Sequence, residues 1–289
     1  MKRKTILPLF IAITMSVFTW GQQNPLLYKI FDKNGKSIRW EKVLKKADEA
    51  EVVFFGEYHD DPVIHYLQLQ LLHHLVESEE KLALGLEMFE WQDAELLNAY
   101  MNGKIDQKTF TSEAKSLWPN YRTDYSPMVE LAKRKGVAVF ASNVPRAWAS
   151  AVFKGGFEAL DSIYSELKQY LPPLPIPYES QLPGYRNMLK MAHGHGGENL
   201  PKAQALKDAS MAWSVVQHLE KGFKILHLNG TYHTNNFEGI IWYLEKYRPK
   251  TRYFTIAMVR QADVRSLKRD FRGLADVIIA VPDDMIRTH

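Results

Sequence analysis

The chain has 289 residues, a formal charge of +4, 46% hydrophobic residues and no cysteine. That length can bury a sizeable core in one elaborated domain, and the lack of cysteine excludes disulfides, thiol catalysis and a lipidated cysteine anchor. Beyond Lys2-Arg3-Lys4 no run of lysine and arginine marks a nucleic-acid footprint, so no nucleic acid is expected as a partner.

Met1 to Lys4 is a charged start, and Ile6 to Trp20 is a fifteen-residue apolar run without charge. This reads as a secretory signal peptide cut after Gly21, because a membrane span needs about 20 apolar residues. Its removal lowers the formal charge from +4 to +1. The remaining residues, 22–289, are expected to form one domain exported to the periplasm or the outside, and not a cysteine-anchored lipoprotein.

Asn34-Gly35 signals a tight hairpin turn, with Ser37 capping the helix that follows. Val52 to Phe55 reads as a strand ending in Gly56-Glu57-Tyr58-His59-Asp60-Asp61. Pro62 to Glu77 has apolar residues at Val63, Leu67, Leu71 and Leu75, the spacing of a helix capped by Asp60 or Asp61. The amino end of that helix should favour an anionic group. A second strand, Lys81 to Met88, carries Glu87, and helices are expected over 93–100 and 106–116. Trp118-Pro119-Asn120-Tyr121 is a loop placed to overhang the strand ends. Met128 to Lys135 is a helix stopped by Gly136. A third strand, Val137 to Ala141, precedes Asn143 and Arg146.

From about 155 to 200 the alternation of strand and helix breaks down into proline-rich and glycine-rich sequence. This reads as a partly helical insert over the carboxyl edge of the sheet. Pro201 to Leu219 returns to helix, Phe223 to Leu228 is a fourth strand before Asn229 and His233, and a helix over 237–246 leads to strands over 253–258 and 277–281. The class expected is α/β, a mainly parallel sheet flanked by helices.

If the four strands are parallel, their polar ends share one edge, where ligands bind in open α/β sheets. Gly56-x-x-His59 and Gly230-x-x-His233 are the same pattern after two different strands. With Glu87 they bring two imidazoles and a carboxylate together, a set suited to a divalent metal such as Zn, Mn or Co. Glu57 is a further ligand or a general base. Arg146 is placed to hold a carboxylate or an oxyanion, with Asn143 and Asn229 orienting either. Taken singly, each has a plainer account as a hydrogen-bonded loop residue, and it is the recurrence at successive strand ends that points to a site. His65 is at most an outer partner, while His73 and His74 read as surface. His193-x-His195 either binds a metal or haem iron or belongs to a mobile loop.

At these residues the sequence resembles the ChaN family of haem-binding uptake proteins, in the wider group with TIKI/TraB proteases and erythromycin esterases. The matching stretches are Phe55-Gly56-Glu57-Tyr58-His59-Asp60 with Gln68 or Gln70, Leu86-Glu87-Met88-Phe89, Trp118 to Tyr121, Ala141 to Arg146, Ala203-Gln204 with Asp208 to Ala212, and Asn229 to His233. The resemblance implies an α/β core, haem binding for iron acquisition, a homodimer enclosing haem, and delivery to or from an outer-membrane haem receptor. Tyr178 and Tyr185 in the insert are the candidate haem-ligating tyrosines, beside His193 and His195. Hydrolases of the wider group imply the other reading, cleavage of an ester or peptide bond by a metal-dependent site at His59, Glu87 and His233.

Overall fold

In the computed structural model the described residues are 26–163, 168, 170–192 and 197–289. The expected signal peptide and the pair His193 and His195 lie outside them. Seven strands form one sheet: β1 (Lys29–Asp32), β2 (Val52–Glu57), β3 (Leu82–Glu90), β4 (Ala138–Asn143), β5 (Lys224–Gly230), β6 (Tyr253–Arg260) and β7 (Val277–Val281). Their order across the sheet is β1-β7-β6-β2-β5-β3-β4, parallel except for β1, which runs antiparallel to β7 at the edge.

Every residue of β2, β7 and most of β5 is buried. Strands covered on both faces read as unbroken apolar runs, which is why Val52-Val53-Phe54-Phe55 has no alternation. The cover comes from helices α1 (Trp40–Glu49), α2 (Pro62–Ser78), α3 (Ala94–Met101), α4 (Gln107–Glu113), α5 (Ser126–Lys135), α6 (Arg146–Gly155), α7 (Pro183–Met191), α8 (Asn199–Glu220) and α9 (Ile240–Tyr247). From β2 the chain moves through β3 to β4 in one direction, then returns through α8 to insert β5 between β2 and β3. Because parallel crossovers are right-handed, α2 and α5 lie on one face and α8 and α9 on the other.

That reversal creates the crevice. Adjacent strands β2 and β5 send their chains to opposite faces, and such a switch point opens a gap beyond the carboxyl ends. The register pairs Gly56 with Asn229 and Glu57 with Gly230, so the two Gly-x-x-His segments leave the sheet side by side. The insert follows α6 and contributes α7, which packs on α8. Asp61 caps α2, its Oδ1 accepting from the backbone N–H of Val63 at 3.1 Å and Ile64 at 3.2 Å. Ser37 caps nothing; α1 starts three residues later, with no side-chain cap on Arg39. Among the described residues no helix is long and apolar enough to cross a membrane.

Candidate functional site

The crevice is an open cleft of about 470 Å³ lined by the first motif from Glu57 to Asp60, the second from Gly230 to His233, Gln204 of α8, Arg260 of β6 and His289. Both motifs read Gly-x-Tyr-His. In each, the tyrosine turns outward, Tyr58 38% and Tyr232 40% exposed, and the histidine turns inward. Neither glycine needs a positive φ; each allows a close approach. A Cβ on Gly56 would stand 2.9 Å from the Thr231 Cα, and one on Gly230 would stand 3.0 Å from His59 Nε2.

Glu57 is 1% exposed and its carboxylate is fully engaged. Oε1 accepts from the Tyr125 hydroxyl at 2.7 Å and faces His59 Nδ1 at 2.8 Å. Oε2 accepts from the Gln68 amide at 2.6 Å. Since that amide nitrogen is committed to Glu57, the Gln68 oxygen faces His65 Nδ1, at 3.1 Å. The other nitrogen of His65 faces the His59 carbonyl at 3.2 Å. Asn120 donates to the same carbonyl at 2.7 Å and to Asp124 at 2.6 Å, so the Trp118 loop is tied to the first motif. Trp118 closes on the His59 ring edge-on, centroids 4.5 Å apart. Burial alone would lower the basicity of His59, but the hydrogen bond and charge of Glu57 and the charge of Glu87 raise it.

The second motif is anchored from the other face of the sheet. His233 Nε2 faces Glu87 Oε1 at 3.1 Å, and Nδ1 faces Asp208 Oδ1 at 2.5 Å. The Gln204 amide approaches Nδ1 at 2.9 Å, and Tyr185 donates its hydroxyl to Asp208 at 3.0 Å. Glu87 Oε2 accepts from the Gly230 N–H at 2.6 Å. Burial disfavours the His233 cation, yet the charges of Glu87 and Asp208 and their hydrogen bonds outweigh it and push the ring up to about 10. Burial would also raise Glu87, but the His233 and His59 charges and the Gly230 N–H hold it well below the usual carboxylate range.

His59, Glu87 and His233 therefore meet, with Glu57 beside them, but as ion pairs. Both nitrogens of His233 face carboxylates, and one oxygen of Glu87 is held by backbone. Among the described residues no three His, Asp or Glu side chains are disposed to hold a metal ion, so this arrangement of donors does not fit a divalent cation. Asn143 and Arg146 are not brought into the cleft. Asn143 ends β4 and Arg146 follows it, and β4 is the edge strand three places from β2, about 14 Å across the ladder. Asn143 Oδ1 accepts from Val144 N–H at 2.9 Å, and the exposed Arg146 donates its backbone N–H to Glu90 at 3.0 Å. Asn229 is buried and turned away from the cleft. It donates to the Gly230 carbonyl at 3.0 Å and faces His227 Nδ1 at 3.1 Å, fixing the turn beneath the second motif. Tyr178 and Tyr185 stack on each other with centroids 5.7 Å apart, behind His233 and not in the cleft wall. The amino end of α2 is satisfied by Asp61, whose other oxygen pairs with Arg260 at 3.3 Å.

Tyr125, Asp208, Tyr58, Tyr232 and Arg260 carry much of this site and were not singled out by the strand-end pattern. For the two tyrosines a signal existed: the two motifs share one more fixed position than Gly-x-x-His, the tyrosine before the histidine. The Arg260 guanidinium lies 4.9 Å from the Tyr58 ring centre and donates from Nη2 to Asp60 at 2.7 Å.

A seven-stranded, mostly parallel sheet with paired Gly-x-Tyr-His turns at its switch point defines an α/β protein with a cleft beyond its strand ends. Residues 43–244 match the family model described as "Haem-binding uptake, Tiki superfamily, ChaN", and the chain belongs to that family. It is 29% identical over 202 residues to Protein RETICULATA-RELATED 5, chloroplastic, of Arabidopsis thaliana, covering 63% of this chain and 26% of that protein. The chain thus spans about a quarter of that curated relative. Among solved structures it is similar to ChaN of Campylobacter jejuni, described with cofacial haem binding, at a TM-score of 0.64 and 18% identity over 87% of this chain and 96% of the other. It is also similar to the type III effector HopBA1, at a TM-score of 0.51 and 14% identity over 84% and 92%. At these identities the structural likeness speaks for the fold.

Proposed function

We propose that this protein is exported and binds haem in iron acquisition, holding the macrocycle at the mouth of the cleft between Tyr58 and Tyr232. The observation that carries this reading is the doubled Gly-x-Tyr-His turn, which puts two half-exposed tyrosines on one rim, Tyr58 and a Tyr232 whose hydroxyl donates to the Gly184 carbonyl at 2.6 Å, above the half-buried His59 and the buried His233. Phenol oxygen is an established haem-iron ligand, and flat aromatic faces suit a macrocycle. A second observation concerns charge. Among the described residues the buried Nε of Arg260 has no hydrogen-bond acceptor, and a propionate carboxylate is the kind of acceptor that satisfies it. Family membership supports the same reading. An open rim of this kind also suits a homodimer, a second copy covering the exposed face of the macrocycle, and transfer to an outer-membrane haem receptor.

Haemin titration of residues 22–289, followed in the Soret band with sedimentation of the same samples, tests this. A saturable band shift is expected, weakened at least ten-fold in the Tyr58→Phe, Tyr232→Phe double variant. No saturable shift in the unaltered protein would reject haem binding.

A hydrolase is the second reading, favoured by the 2.8 Å contact between buried Glu57 and His59 Nδ1. A carboxylate in that position orients an imidazole so that its other nitrogen takes a proton from water. Both nitrogens of His233 are held by Glu87 and Asp208, so in this reading that ring fixes the opposite wall of the cleft and leaves the proton transfer to His59. Ester turnover abolished by His59→Gln, with unaltered haemin affinity, would separate this activity from haem binding.

A further inference from the structure

Beyond β7 the chain crosses back over the carboxyl edge, and residues 287–289 return to the cleft from outside. Thr288 is fastened twice: its N–H donates to the Asp60 carbonyl at 3.0 Å, and its hydroxyl donates to Asp124 at 2.6 Å. Arg287 adds an ion pair to Asp60 at 3.5 Å. Asp124 is a buried carboxylate that also receives Asn120 and stands 3.5 Å from His65 Nε2. One short segment is thereby tied to both loops that frame His59, the Asp60 turn and the Trp118 to Asp124 loop.

The consequence of that fastening is the placement of His289. Its side chain is exposed, yet the residue lines the same cleft as His59, Tyr58 and Tyr232. The match to the family model ends at residue 244, so this wall is contributed by sequence outside the matched region. An imidazole delivered there differs from His59 and His233 in being free of any carboxylate partner among the described residues.

We infer that residues 287–289 form a strap completing the cleft, and that His289 is a nitrogen donor to the metalloporphyrin bound there. This rests on the haem reading above. His289 would supply a nitrogen donor to a haem held in this cleft, and the identity of the protein ligand sets haem spin state and potential. Thr288 acts through His289 and is a positioning residue.

The test is haemin titration of the unaltered protein, His289→Ala, Thr288→Ala and Thr288→Ser, read by Soret position, by electron paramagnetic resonance of the ferric iron, and by affinity. His289→Ala removes an exposed ring, so folding is not at issue. A changed ferric signal and roughly ten-fold weaker binding are expected. Thr288→Ala should move both readouts in the same direction and Thr288→Ser should restore them. Normal haemin uptake with an unchanged ferric signal in His289→Ala overturns this inference and leaves the haem reading standing. No uptake by the unaltered protein overturns both.

Discussion

Asp208 Oδ1 stands 2.5 Å from His233 Nδ1, and both residues are buried. The contact joins the middle of α8 to the turn after β5, so the second motif is held from the helical layer and not only by its own strand. Removing one partner of a buried ion pair leaves the other charge without compensation. Asp208→Asn is therefore expected to cost about 3 kcal/mol in urea unfolding and to lower the basicity of the His233 ring, seen as a downfield-to-upfield NMR titration at lower pH. An unchanged unfolding midpoint would mean the pair contributes nothing to stability.

The same network fixes how stability varies with pH. His233 is raised from 6.5 to about 10, so its contribution is complete below about 6.5 and is lost as pH rises through 10. Glu87 is depressed from 4.5, so its contribution is complete above about 4.5 and is lost as pH falls toward its folded value. Their joint contribution is greatest between those two ordinary values. Urea midpoints measured from pH 4 to 10 should fall on the alkaline side, and the Glu87→Gln, His233→Asn double variant should flatten that fall.

Glu57→Gln keeps the shape of the side chain while removing the charge that faces His59. The His59 ring should then titrate at lower pH than in the unaltered protein, as followed by its Cε1–H resonance. Tyr125→Phe removes one donor to Glu57 and should cost about 1 to 3 kcal/mol. A His59 titration that does not move in Glu57→Gln would show the 2.8 Å contact to be without electrostatic effect.

Gly239 has φ +55°, and a Cβ there would stand 2.3 Å from the His233 carbonyl oxygen. Gly239→Ala should lower Tm by roughly 6 to 12 °C, the effect of about 3 kcal/mol in a chain of this size. Gly273 has φ +81° but open space around it. Its alanine variant carries backbone strain alone and should cost about 1 kcal/mol. Equal losses at the two positions would remove His233 from the explanation.

Much of this architecture is legible in the sequence because β2 to β5 are buried on both faces and end abruptly in charge. Those two properties located the strands, their shared edge, and Glu57, His59, Glu87 and His233. Asn143 and Arg146 share the pattern without sharing the cleft, since strand order decides which ends are neighbours and β4 lies at the edge. Asp208 is hidden for a different reason. Ala205, Ala209, Trp213 and Val216 define an apolar face on α8, and a carboxylate one position before Ala209 looks like the solvated side until the β5 turn covers it. Tyr125 donates from a π-helical turn at 121–125, a geometry that apolar periodicity does not reveal. The return of Thr288 to Asp124 spans 164 positions and leaves no local trace.

Pairing β2 directly with β5 has a kinetic meaning. His59 and His233 are 174 positions apart in the chain, yet their strands are adjacent in the finished sheet. A chain emerging in order makes β2, β3 and β4 well before the strand that must slide between the first two, and such distant pairings are the slow ones to form. Half-made protein therefore carries one isolated Gly-x-Tyr-His turn and an incomplete sheet with a gap in its middle. The two turns therefore meet only once β5 has entered the sheet, so pairing the two motifs and closing the centre of the sheet are the same event.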